Sequence, residues 1–198
     1  MIEIIKHHIH TLKFLKRTIL TLLLIISICI LFRGCIFRNI ITYKSVSIRP
    51  HNYLVKDRRL AAVIDSSVGI ITNPNIKQII ECALKITSEQ LNFTVGQNDI
   101  DPNKLVYSRT AHCVGYASFF KTVCNYLFKK LNFDNNWSIT QRIGKLYIFG
   151  INIHGFFSSP FFKDHDFVTI ENIKTGEKFA IDPTISDYFC ITFVNYKE

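Results

Sequence analysis

The hydrophobic pattern divides the chain into a long apolar run near its start and a mixed region after it. Residues 18–32 (TILTLLLIISICILF) carry no charge, with Lys6, Lys13, Lys16 and Arg17 before them and Arg33 and Arg38 after. The run is shorter than the roughly 20 residues a spanning helix wants. Snorkelling of Lys16, Arg17 and Arg33, with Phe14, Leu15, Ile36 and Phe37 as apolar flanks, extends it to a full crossing. Phe32-Arg33-Gly34 is a poor match to the small-residue pattern of a signal-peptidase site. Gly34-Cys35 matches a lipoprotein box only faintly and reads as an ordinary juxtamembrane cysteine. The expectation is an uncleaved signal-anchor, with contact to the membrane through residues 18–33.

Beyond the run, residues 42–74 show no sustained periodicity and read as a linker with at most one short strand, 60–64. Residues 75–91 place Ile76, Ile79, Ile80, Ala83, Leu84, Thr87 and Leu91 at helical spacing behind Pro74, predicting an amphipathic helix. Residues 112–131 are apolar on nearly all sides in their first half, which predicts a buried helix. Along it Cys113, Ala117, Phe120, Cys124 and Phe128 share one face. The pattern then shortens to strand-like runs at 137–142, 145–151, 165–171, 178–181 and 189–194, separated by Gly, Asn, Asp and Pro. Helices followed by antiparallel strands predict an α+β fold. The division expected is a basic N-terminus and membrane segment (1–41), a linker (42–74) and one folded domain (75–198).

Charge supports this division. Of the 24 Lys and Arg in the chain, 11 fall within residues 1–60 against only Glu3 and Asp57, so the net +9 flanks the apolar run and the remainder is close to neutral. A nucleic-acid binder carries its basic patch on the folded domain, so no nucleic-acid partner is expected. The six cysteines (29, 35, 82, 113, 124, 190) have neither CxxC pairs nor close Cys/His spacing, so no metal site is signalled.

Cys113 stands out because a thiol at a helix N-terminus meets the positive end of the macrodipole and unpaired backbone N–H groups, both favouring the thiolate. His165 and Asp182 flank a predicted hairpin whose turn runs through Ile173-Lys174-Thr175-Gly176, with Gly176 supplying positive φ. A turn centred near Ile173–Lys174 makes His165 and Asp182 cross-strand partners on one face. A carboxylate there fixes the imidazole and leaves its other nitrogen for the thiol, which completes the logic of a Cys113–His165–Asp182 triad. His112 precedes the helix and is expected to point away from the thiol, and His154 has no acidic partner at hairpin spacing; both are read as structural or substrate-facing. The Phe-rich segment 155–162 reads either as packing or as a substrate-binding loop.

These residues resemble the transglutaminase-like superfamily: Cys113-x-Gly115-Tyr116-Ala117 opens a helix, His165 opens a strand, and Asp182-Pro183-Thr184 closes the next. The resemblance covers roughly residues 76–194. It departs from the family pattern in Ala111-His112 ahead of the cysteine and in lacking a Trp after the histidine, where Phe167 stands two on. It implies a papain-like core, with the Cys-bearing helix packed on the sheet that holds His and Asp, and cofactor-free hydrolysis or acyl transfer on a peptide or protein amide. The oxyanion would meet the Cys113 backbone N–H and a second donor, for which Tyr107, Asn136 and Trp137 are the candidates. The competing class is a membrane-tethered binding or assembly module that keeps the fold without turnover. Basic residues near the two ends of the apolar run tie at four each, and an extracytoplasmic domain is the expectation.

Overall fold

The computed structural model describes residues 2–68 and 73–197. Helix α1 (Ile2–Leu31) leads into α2 (Arg33–Ile40), separated by Phe32 at φ −99°, ψ 12°. Hydrogen bonds from Phe32 N–H to Ile28 O and from Ile36 N–H to Phe32 O, both 2.9 Å, stiffen the junction. Within α1, Lys13–Leu31 is apolar and long enough to cross a membrane, and none of it is buried by the rest of the chain.

Residues 42–74 are not the expected linker. They hold β1 (Ile41–Ile48) and α3 (Arg58–Val68), while residues 69–72 lie outside the described residues. The run 60–64 is helix rather than strand. Leu60 and Ile64 are one turn apart and both buried, and an apolar run this short fits either period. Helix α4 (Ile76–Gln90) starts where the sequence says it should. The Asn75 side chain accepts from Gln78 N–H and the Gln78 side chain accepts from Asn75 N–H, a complete capping box. Its expected stripe is buried at Ile79, Ile80, Ala83, Leu84 and Thr87. The short parallel pair β2 (Asn92–Phe93) and β3 (Thr110–Ala111) brackets α5 (Pro102–Ser108). Helix α6 (Cys113–Lys130) then runs through the middle of the domain.

The main sheet contains β1, β4 (Trp137–Ile148), β5 (Ile151–Asn152), β6 (His165–Asn172), β7 (Lys178–Ile181) and β8 (Asn195–Lys197), in the order β7-β6-β4-β1-β8 with β5 paired to β4. Neighbours are antiparallel except β1 and β8. Val194 N–H donates to Ala180 O (2.9 Å), joining the entry to β8 with β7 and curling the sheet toward a barrel. Inside lies a small core of Tyr43, Phe167, Ala180 and Val194, with Phe37 of α2 packed against it. The larger core joins the helices to the outer face through Phe119, Phe120 and Phe128 of α6, Ile79 and Ile80 of α4, and Val168 and Ile170 of β6. Side chains of this size contribute about 1.5–3 kcal/mol each on full burial. The architecture is therefore α+β, preceded by an apolar helix.

Two strand expectations are corrected. The runs 137–142 and 145–151 are separated in sequence by Gly144, but β4 passes through that residue unbroken. A Cβ there would lie 2.6 Å from the Phe167 ring and 3.0 Å from Lys44 O, so Gly144 permits close packing inside the barrel and is not a turn. The run 189–194 is not a strand, because Asp182-Pro183 starts α7 (Pro183–Phe189) and the chain rejoins the sheet only at Asn195. Gly144→Ala is expected to lower stability by about 1–3 kcal/mol through overpacking, read as a fall in thermal midpoint of the detergent-solubilised chain.

Candidate functional site

The start of α6 is built for a thiolate. His112 is the N-cap, its Nδ1 accepting from Val114 N–H at 3.2 Å, and Cys113 is the first helical residue, 9% exposed. As that first residue its own N–H has no partner within the helix. Gly115 has a steric reason to be there, since a Cβ would come within 2.8 Å of Ala111 Cβ where the helix start packs on β3.

His165 opens β6 opposite Gly144, which in turn faces Ser45 of β1. Its Nε2 lies 2.6 Å from Asp182 Oδ2, leaving Nδ1 for the thiol of Cys113, with which the ring is hydrogen-bonded. The ring is 18% exposed. The hairpin register differs from expectation. Val168 pairs with Ile181 and Glu171 with Lys178, which centres the turn on Lys174–Thr175, and Gly176 adopts φ 72° as expected. Extending this ladder sets Asp182 opposite Phe167, two residues from His165. Because the shift is by two, both side chains keep the same face and meet diagonally.

Asp182 has no exposed surface and a full set of partners. Oδ2 receives Tyr43 Oη–H at 2.7 Å as well as the imidazole, and Oδ1 accepts from the N–H groups of Thr184 (3.0 Å) and Ile185 (3.2 Å). The Asp-Pro-Thr sequence is thus a helix cap, with Pro183 preset for the first turn of α7. Tyr43 sits in the stretch read as linker, so sequence reasoning missed it. Its only signal is being a large aromatic within a β-branched run.

The electrostatics follow from these contacts. Burial pushes the Cys113 thiol up, but hydrogen bonds from His112 and His165, the imidazolium charge and the Asp166 backbone N–H outweigh it and bring the pKa down to about 6. Burial alone would lower the pKa of His165; the Asp182 charge and hydrogen bond, with the thiolate on the other side, hold it well above the ordinary imidazole range. Asp182 is likewise opposed by burial and held below the usual carboxylate value by His165, Tyr43 and the Ile185 N–H. The two shifts run in opposite directions, and each favours the charged form of its group, thiolate for Cys113 and imidazolium for His165.

A second buried cluster locks the helix start to the sheet. Asp166, fully buried, binds Arg49 through Nε (3.0 Å) and Nη2 (2.7 Å) and accepts from Gln141 Nε2 (2.8 Å). The same Gln141 nitrogen reaches Val114 O (3.2 Å) on the first turn of α6. Neither Arg49 nor Gln141 was legible in sequence, because Arg49 follows the end of β1 and Gln141 lies on β4, both far from Cys113 in the chain.

The rival residues resolve differently from expectation. His112 does not point away; it hydrogen-bonds the thiol and lies edge-on to Phe161, ring centroids 6.2 Å apart. His154 is buried with Nδ1 2.7 Å from Phe162 O, so that nitrogen carries the hydrogen. Of the oxyanion donors considered, Tyr107 donates to Asp57, and Asn136 and Trp137 sit at the Asn172 end of β6, away from His165. The Phe-rich segment is not core, since Phe156, Phe157 and Phe162 are exposed and only Phe161 approaches the site.

Arg49→Met leaves Asp166 buried without its cation and is expected to destabilise by about 3–5 kcal/mol, much of it recovered when Asp166→Asn is added. Tyr43→Phe, which removes one hydrogen bond to a buried carboxylate, should cost about 1.5–3 kcal/mol. Both are read by thermal unfolding of the solubilised full chain.

Compared with known families, curated proteins and solved structures, the chain has no significant match in any of the three.

Proposed function

We propose that this chain is a membrane-anchored cysteine enzyme with a transglutaminase-like, papain-like core, hydrolysing amide or peptide bonds or transferring the acyl group to an amine. The observation that carries this reading is the juxtaposition of a helix-terminal thiol, lowered to about 6, with an imidazole whose other nitrogen lies 2.6 Å from a buried carboxylate. Structural ion pairs also perturb pKa values. A low thiol beside a partly exposed imidazole is the pattern of an activated nucleophile.

In this mechanism the Cys113 thiolate attacks the amide carbonyl carbon. The resulting oxyanion meets the Cys113 backbone N–H at the positive end of α6. The His165 imidazolium donates its Nδ1 proton to the leaving nitrogen as the C–N bond breaks, leaving a thioester and a neutral ring. Water or an amine, deprotonated by Nδ1, then attacks the thioester and the thiolate departs. Asp182 holds the ring plane throughout, and Tyr43 and the start of α7 hold Asp182.

The reading predicts how alkylation depends on pH. Because the Cys113 pKa is lowered, thiolate is present above about pH 6 and is lost as pH falls through that value. Iodoacetamide labelling of Cys113 in the solubilised chain, located by mass spectrometry, should therefore rise with a midpoint near 6. In His165→Ala the midpoint should move up by two units or more, to about 8.5 or above, as for an ordinary thiol. A wild-type midpoint in the ordinary range, indifferent to His165, would overturn the enzyme reading and leave a binding module.

A further inference from the structure

The end of the barrel that holds the site is also the end that the apolar helix enters. Nothing flexible intervenes between them. Helix α2 follows α1 across one residue and is fastened to the domain along its length: Arg33 Nε donates to Phe189 O (2.9 Å), Asn195 Nδ2 to Arg38 O (3.0 Å) and Phe149 N–H to Ile40 O (3.0 Å). Phe37 packs on Tyr43, ring centroids 6.5 Å apart. The height of the barrel above any bilayer crossed by α1 is therefore set by α2, whose eight residues rise about 12 Å.

At this end three large apolar side chains face outward. Phe149 and Ile151 form the tip of the β4–β5 hairpin, 76% and 59% exposed, and Phe156 ends the one-turn helix that follows β5, 76% exposed. Lys44 and Lys145 face each other three residues in from the Ile41–Ile148 pair, with Lys163 O bound by Lys145, and Arg33 and Arg38 lie on α2. At the opposite end of the barrel the one tryptophan, Trp137, is tucked against Phe179. Apolar side chains protruding at the end of a domain that carries basic residues, beside a helix long enough to span, have the character of an interfacial membrane contact.

We infer that this rim, Phe149, Ile151 and Phe156, seats in the interfacial layer of the bilayer crossed by α1, so that the Cys113 site opens close to the membrane surface. The inference rests on α1 spanning the bilayer, not on catalysis. The zone between hydrocarbon and water is about 5–8 Å deep on each side, so the rim reaches it when α2 lies steeply inclined, at about 50° or more from the membrane normal. His165 sits level with Ser45, four residues along β1 from Ile41, or about 13 Å farther from the rim. The segment carrying Phe156, Phe157 and Phe161 bridges that interval, with Phe161 against His112. A substrate reaching Cys113 would pass along a surface already apposed to lipid.

The test uses the full chain in nanodiscs of phosphatidylcholine and phosphatidylglycerol, with and without bromine on the acyl chains near the glycerol. Tryptophan is introduced by Phe149→Trp, Phe156→Trp, Ile173→Trp and Leu24→Trp, each against the native Trp137. Trp137 lies about 36 Å along β4 from the rim, so its unchanged emission also reports intact folding. The inference expects brominated lipid to remove the greater part of the added emission at positions 149, 156 and 24, and none at 173, on the exposed turn at the far end. Quenching at 24 but not at 149 and 156 overturns the rim contact while α1 remains in the bilayer. Quenching at none of these positions overturns the anchor reading and the inference with it. A blue-shifted but unquenched tryptophan at 149 or 156 points to a protein partner on the rim and likewise overturns the inference.

Discussion

Asp182 carries a carboxylate with no exposed surface, and the site follows from how that charge is satisfied. Four donors surround its two oxygens: an imidazole from β6, a phenol from β1 and two backbone N–H groups from the first turn of α7. An unpaired buried charge is costly enough that none of these groups is optional. Satisfying Asp182 therefore forces β1, β6 and α7 to converge at one end of the barrel. The imidazole that results has one nitrogen committed and the other turned toward Cys113, so the geometry that stabilises the fold also sets the thiol–imidazole pair.

The other half of the site depends on the orientation of α6. A helix packed only by apolar contacts can slide or rotate by small amounts, which would move Cys113 relative to His165. The Arg49–Asp166–Gln141 cluster opposes this, because Gln141 holds Val114 O and Asp166 at once and Arg49 balances the buried charge. Asp166 is next to His165 in sequence and its backbone N–H bonds the thiol, so the register of β6 aligns the histidine, the helix anchor and a thiolate donor together. Polar networks of this kind act as all-or-none locks in a low-dielectric interior.

The long apolar helix and the site share one end of the molecule, through a helix that plugs the barrel by Phe37 and continues directly into β1. A tethered domain usually hangs from a flexible connection. Here the first strand of the sheet begins at the residue after α2, so the apolar helix is joined rigidly to the barrel, and any constraint on it reaches Tyr43 within a few residues.

What the sequence determined by itself was local. The apolar run that becomes α1, the amphipathic stripe of α4 behind Pro74, the burial of α6 and the position of Cys113 at its start follow from residue order and the 3.6-residue period. The shared face of His165 and Asp182 also follows, because alternation along a strand preserves the face when the register moves by two. The tertiary structure decided which strands pair. That recruited Tyr43, Arg49 and Gln141 from distant parts of the chain, made residues 42–74 part of the domain, and joined two apparent strands through Gly144. Pairing between strands far apart in sequence leaves no periodic trace in either one, and a buried ion pair shows only when both partners reach the same place.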